Sequence, residues 1–430
     1  MLKRFFAVVL TLSLVLAWVA VPAPAVAQDE IDCMGAEGSE VSILAVWTGE
    51  EENKFVTALA PFVDACDITI NYEGTREFTT VLDTRIQGDA APDVAVMPNP
   101  GALTTYIDNL VALDSLGVTT DNYAASWVNI GTVNDMWVGV PIKTDIKSLV
   151  WYSPVRWDNQ GYPVPADWEE MILVMDLMVE DGVAAPLAMG FESGGATGWT
   201  ATDFTQDILL RTQGGEFVAG LASGATAWND PAVVEAWGLY ANWAEMYSAG
   251  GAEGAISTSF SDAILQPFGD PPEAWAVKQS GFAGTAVIQS TYPDYVYGED
   301  FAFFVLPTAD GEPVPMQVGG DFLAAFNDTD AVRALLAYLT SAAGANAWAA
   351  AGFDLTPNSA VDVSNYTDPI SADKAAALLE APDVSFDVGD LMPGGLGQVE
   401  FDSITAVVGG ADAAETLGEM EAAVNEVIGE

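Results

Sequence analysis

Between residues 41 and 98 the chain alternates short β-branched runs with helical stripes, and this narrows its possible folds more than any other feature. "SILAVW" (42–47) is strand-like, and Glu50-Glu51-Glu52 then opens a helix whose Phe55, Leu59, Phe62 and Val63 share one face. Acidic residues in a first turn suit the helix dipole, while Pro61 is a cost inside this helix and a point of bending. "DITINYEG" (67–74) reads as a second strand, Phe78 to Gln87 as a second helix and "PDVAVMP" (92–98) as a third strand. Such alternation predicts an α/β architecture with a parallel sheet covered by helices. Ligands on open sheets of this kind sit beyond the carboxyl ends of the strands. That singles out three loops: "WTGE" (47–50), "EGTRE" (73–77) and "PNPG" (98–101).

The charge balance excludes several functions. The chain carries 62 acidic against 12 basic residues, a formal net charge of −50, and no histidine. That field repels DNA, RNA and anionic lipid and disfavours anionic substrates. The carboxylates are dispersed, which reads as a solvated surface adapted to a salty medium rather than as an acidic tail. Self-repulsion on this scale makes the fold salt-dependent. Its melting temperature is expected to rise from low to molar salt, and a flat profile would refute that expectation. Without histidine there is no Ser-His-Asp triad, no Cys-His dyad and no His-ligated zinc. Two cysteines also leave no thiolate metal site, so neither a metal nor a cofactor is expected, and no catalytic residue is assigned.

Residues 1–27 have the layout of a secretory signal: Lys3 and Arg4, an apolar run from Phe5 to Val21, then Ala25-Val26-Ala27. Pro22 and Pro24 break the run, arguing against a retained anchor. Glu30-Ile31-Asp32 before Cys33 argues against a lipid anchor. Export places the two cysteines in an oxidising compartment. Cys33 precedes the first strand and Cys66 ends the helix that runs back along it, so a bridge is expected, the alternative being two buried thiols.

A second region begins after "GVPIKTDIKSLVWYS" (139–153). Asp167 caps a helix carrying Trp168, Met171, Ile172, Met175 and Met178, and Asp230-Pro231 starts another with Val233, Val234, Trp237, Tyr240, Ala244 and Tyr247. Met and Trp at that spacing read as core. "GGATGWTATDF" (194–204) imitates a phosphate loop, but the position of the required Lys holds Trp199, and an aromatic ring there points to a different ligand.

Taken in order, several segments resemble the bacterial extracellular solute-binding proteins of the carbohydrate type, with the maltose-binding protein-like fold and more closely the alpha-glucoside-binding group. They are "WTGEEENKFVTALAPF" (47–62), "INYEGTREF" (70–78), "PDVAVMPNPG" (92–101), "GVPIKTDIKSLVWY" (139–152), "ATGWTATDFTQDILLRTQG" (196–214), "VGGDFLAAFND" (318–328), "GFDLTPNSAV" (352–361) and "DLMPGGLG" (390–397). The resemblance implies a type II periplasmic-binding-protein fold with a ligand cleft between two α/β lobes. Lobe 1 would comprise residues 38–143 and 308–351, lobe 2 residues 148–303 and 354–430, and the hinge would cross at 144–147, 304–307 and 352–353.

It also implies an extracytoplasmic, monomeric receptor of an ABC importer, periplasmic or on the cell surface. Such a receptor closes around a sugar and hands it to a membrane permease. A sugar site interleaves fixed polar groups with aromatic plates. The matching positions are Trp47, Thr48, Glu50, Arg76, Asn99, Lys143, Asp145, Trp199, Asp203, Phe282, Gly320 and Asp321. Trp199 is the expected plate, with Phe282 a second. Asp203 either bonds a hydroxyl or caps its helix. The rival readings are a polyamine or other small-molecule receptor and a secreted glycosidase, which needs two carboxylates flanking a sugar.

Overall fold

The computed structural model describes residues 31–428 other than 76, 184, 309–313 and 394, so the expected signal segment and Arg76 lie outside the described residues. The predicted alternation takes the form β1 (Glu40–Ala45), α1 (Glu50–Cys66), β2 (Thr69–Gly74), α2 (Phe78–Gln87) and β3 (Val94–Met97). β1 lies between β2 and β3 and is parallel to both. The face of α1 read from its period is the one that packs: Phe55, Leu59 and Phe62 are buried, with Pro61 accommodated inside the helix. Cys33 and Cys66 form a disulfide with Cα atoms 5.4 Å apart, tying the segment before β1 to the end of α1.

Three further strands join the first sheet, and they change its character. β4 (Val140–Ile146) leaves this sheet, and β5 (Leu149–Tyr152) opens the second one only a few residues later. The second region adds α3 (Trp168–Glu180), β6 (Leu187–Ala188), α4 (Trp199–Thr212), α5 (Pro231–Tyr247), β7 (Ala276–Lys278) and β8 (Ala302–Val305). Its four strands run in the order β8-β5-β7-β6, with β5 antiparallel to both neighbours. The chain returns through β9 (Met316–Ala325), which is antiparallel to β3 along Phe322–Ala325 and to β4 along Val318–Leu323. The first sheet is therefore mixed rather than wholly parallel, because β9 enters it from the other sheet. The start of β9 also pairs with β10 (Val384–Phe386). A last helix of importance, α6 (Leu396–Val408), packs on α4 and α5.

The stripes read as core are core. Trp168, Met171, Met175 and Met178 of α3 are buried with Trp237, Tyr240 and Tyr247 of α5, while Ile172 and Val234 are only partly covered. Among the described residues no helix is long and apolar enough to cross a membrane.

The crossing between the sheets is built around a fully buried serine. Ser148 accepts from the Leu306 N–H through its main-chain oxygen (2.8 Å) and from the Gln317 N–H through its hydroxyl (3.0 Å). The same hydroxyl donates to Asp207 of α4 at 2.6 Å. Asp207 in turn meets Lys278 at 2.9 Å and Arg211 at 2.6 Å, and Arg211 donates to the carbonyls of Leu306 (2.6 Å) and Pro307 (2.7 Å). One carboxylate thereby fastens both passages of the chain to α4.

Candidate ligand-binding cleft

A strand exposes every second side chain on one face, and along β4 and the residue that follows it that rule puts Lys143, Asp145 and Lys147 on one side. They line a cleft of about 230 Å³ together with Pro98, Trp199, Ser280, Phe282, Gly319, Gly320, Asp321 and Asp390. The walls thus come from the end of β3, the β4 and β9 crossing strands, the start of α4, the loop after β7 and the short helical turn Val388–Leu391 after β10. Gly320 is needed where β9 bulges against β4, since a Cβ there would stand 2.1 Å from the Lys143 oxygen. Gly281 has the same role beside Asp145, whose Oδ1 would lie 2.2 Å from an added Cβ.

Trp199 is the first residue of α4, and the residue before it, Gly198, has φ 111°, a conformation that favours glycine. The half-buried indole lies 5.4 Å from the Phe260 ring and 6.3 Å from Phe282, and Lys147 Nζ stands 5.9 Å from its centroid. Phe282 is fixed through its backbone, its N–H donating to Asp145 Oδ2 at 2.9 Å. The result is an aromatic wall beside a polar floor.

The floor's charges are paired. Lys147 donates to Asp203 at 2.9 Å and to Asp387; Lys143 lies 3.3 Å from Asp321 and 3.7 Å from Glu51; Lys374 reaches Asp354 at 3.0 Å and Asp145 at 3.4 Å. With Lys3 and Arg4 set aside, ten of the 12 basic residues remain, and five of them (Lys143, Lys147, Arg211, Lys278, Lys374) surround this cleft and its crossing strands. In so acidic a chain that concentration marks where charge has been removed from water and matched.

Burial opposes charge on every one of these groups, and the partners decide the balance. Burial would lower Lys143 and Lys147, yet Asp321, Asp354 and Glu51 around the first, and Asp203 and Asp387 around the second, hold both above the ordinary lysine range. Burial lifts Asp145 to about 6, with Asp354 adding to it and Lys374 opposing, and lifts Asp203 to about 7 despite Lys147. Asp390 rises to about 8 through burial and the neighbouring Asp387. Asp387 stays below the usual carboxylate range, because Lys147 outweighs its burial.

Of the positions named from sequence, Lys143, Asp145, Trp199, Phe282, Gly320 and Asp321 line the cleft. Trp47 lies beneath it: only 1% exposed, it packs against Phe55, Trp348 and Phe353 and donates to Asp321 at 3.2 Å. Asp203 does not cap α4; Gly198 is at that position, and Asp203 sits one turn inside, behind Lys147. Asn99 accepts from the Gly101 N–H of its own loop (2.8 Å), next to Pro98. Thr48 is half-buried and Glu50 exposed at the start of α1, and neither is in the cleft wall. Sequence reasoning missed Lys147, Ser280, Lys374 and Asp390. Lys147 was legible in the period of two that already joined Lys143 to Asp145. Among the described residues no cluster of His, Cys, Asp and Glu is arranged to hold a metal ion.

Two α/β lobes, crossing strands between them and a polar, aromatic-walled cleft at the crossing define a two-lobed solute receptor. The family model for bacterial extracellular solute-binding protein matches residues 49–346, and the chain belongs to that family. It is 34% identical over 400 residues to the osmoprotective compounds-binding protein GgtB of Synechocystis, spanning 90% of this chain and 94% of that one. To the alpha-glucosides-binding periplasmic protein AglE of Rhizobium meliloti it is 32% identical over 411 residues, spanning 91% and 88%. Among solved structures it superposes on the bacterial solute receptor AcbH with a TM-score of 0.73 at 18% identity, covering 92% of this chain and 98% of that one. RafE of Streptococcus pneumoniae in its apo form gives 0.72 at 14% identity, covering 91% and 98%. These structures share its fold.

Proposed function

We propose that this protein is the extracytoplasmic receptor of an ABC importer and that its cleft captures a small neutral hydroxylated ligand, an alpha-glucoside or related sugar. The observation that carries this reading is the Trp199–Phe282 wall facing a floor whose lysines are already paired with carboxylates. Apolar C–H faces of a sugar suit the wall, and its hydroxyls suit fixed donors and acceptors. The two relatives named for alpha-glucosides and osmoprotective compounds support the same class, and a net charge of −50 agrees with a saline habitat where such solutes matter.

The lobes close on the ligand by hinge motion, the established behaviour of periplasmic binding proteins, and the closed form is presented to a membrane permease as a monomer. The protein binds its sugar without cleaving it. A thermal-shift panel of maltose, trehalose, sucrose and spermidine tests this reading. Ligand at 100 times its dissociation constant adds about 2.7 kcal/mol to stability, so a clear upward shift is expected with at least one glucoside and none with spermidine. A shift with spermidine alone, or steady release of glucose, would overturn it.

A further inference from the structure

Three carboxyls line the cleft, and two of them are committed. Asp321 accepts from Trp47 and faces Lys143, and Asp145 accepts from the N–H groups of Ile146 (3.0 Å) and Phe282 (2.9 Å) beside Lys374. Asp390 is different. Its main chain is held at both ends: its N–H donates to Asp387 Oδ1 (3.4 Å), and its oxygen accepts from the Gly101 N–H of the first-sheet loop (3.1 Å). A Cβ on Gly101 would stand 3.0 Å from that oxygen, so the two loops are seated closely. The half-buried carboxyl, by contrast, has no hydrogen bond or ion pair with any described residue, although it lines the cleft. A fixed carboxyl lining the cleft without a protein partner is free to bond a ligand atom.

We propose that Asp390 is a ligand-contacting, specificity-determining residue whose carboxyl reads a hydroxyl of the bound solute and, carrying its proton, selects neutral ligands over cations. This rests on the reading of the cleft as a site for neutral hydroxylated ligands. The surroundings supply the proton. Asp387 of the same loop, Asp203 of α4, Asp321 of β9 and Glu400 of α6 all face Asp390. Lys147, the cation facing it from just after β4, is already held by Asp203 and Asp387, and Lys143 and Asp145 complete the cleft wall. Glu400 is itself buried with Oε2 unpartnered, and burial with the neighbouring carboxylates holds it well above the usual carboxylate range, so no cation faces Asp390 from that side. Burial and these neighbours hold Asp390 at about 8. Below that pH it is a neutral acid that both donates and accepts. A bound sugar strips its remaining water and further disfavours the charge, whereas a bound cation favours it.

The test is isothermal titration of wild type, Asp390→Ala and Asp390→Asn with maltose, trehalose, sucrose and spermidine from pH 6 to 9.5. D390A is expected to weaken the bound sugar about tenfold, and D390N, which keeps shape and hydrogen bonding, to recover most of that loss. Wild-type affinity is expected to fall above about pH 8 while D390N stays flat. Equal sugar affinity in D390A, or one pH profile for wild type and D390N, would overturn the proposal. So would spermidine binding that strengthens as pH rises through 8 and releases a proton. If no sugar in the panel binds wild type, the functional reading fails instead, and the ligand-free protein still decides about the proton. A carboxyl raised in the folded state destabilises it as pH climbs from the unfolded value, about 4, to about 8. The melting advantage of D390N over wild type should therefore grow between pH 5 and 8, and a constant difference would overturn the proposal.

Discussion

Asp207→Ala is expected to destabilise the protein by about 3–5 kcal/mol, the cost of leaving buried charge without its partner. Asp207 is fully buried and shared by Lys278 and Arg211, neither of which pairs with another carboxylate among the described residues. Burial alone would raise its pKa, but Lys278, Arg211 and the Ser148 hydroxyl more than offset this and hold it below the usual carboxylate range. The sign for pH follows. A carboxyl lowered in the folded state contributes stability above its unfolded pKa of about 4, and that contribution is lost as pH falls through the lower folded value. Denaturant unfolding of wild type and D207A at pH 7 should show the full difference, narrowing at the acid end. A loss under 1 kcal/mol at pH 7 would refute the assignment. The same carboxylate fastens the Ser148 and Leu306–Pro307 passages to α4, so the loss should fall on the crossing between the lobes as well as on the second core.

The contrast with D390N is instructive, because two aspartates near one cleft answer pH in opposite senses. Asp207 has two cations to itself, whereas Asp390 shares its surroundings with four other carboxyls and one engaged lysine. Sequence shows neither environment. Lys147, Asp203, Asp387, Asp390 and Glu400 are gathered from four separated segments, and spacing along the chain has no bearing on contacts of that range. The local elements were readable for the opposite reason. The face of α1 and the strands flanking it follow from periodicity that neighbouring residues carry themselves. The direction of β9 was not readable, because it is set by where the chain has been in between. Trp47 marks another limit: it follows Leu44 and Ala45, both fully buried, so no alternation separates a core ring from a cleft ring there. Asp203 is hidden similarly, since every residue of α4 from Ala201 to Arg211 is buried and the helix has no polar face to read.

Trp199→Ala should weaken the bound sugar by about 2 kcal/mol, roughly thirtyfold in Kd, with little loss of fold. The size of the effect comes from geometry. The indole stands at the first position of α4, half-buried in the cleft lining, with the rings of Phe260 and Phe282 beside it. Removing it therefore takes away ligand contact without opening a cavity in either core, and the melting temperature of the free protein should change by no more than about 3 °C, corresponding to roughly 1 kcal/mol. Trp199→Phe should recover part of the affinity, because a smaller ring still offers a flat apolar face. Lys147 sharpens the test. Its ammonium, 5.9 Å from the indole centroid, is anchored by Asp203 and Asp387 rather than by the ring, so those ion pairs survive the substitution. A large drop in melting temperature would show that the indole supports the lobe, and unchanged titration with the sugar would remove it from the site. A loss of affinity with an unchanged melt would place the plate where the phosphate-loop look-alike "GGATGWTATDF" first pointed, at a ring where a lysine would have stood.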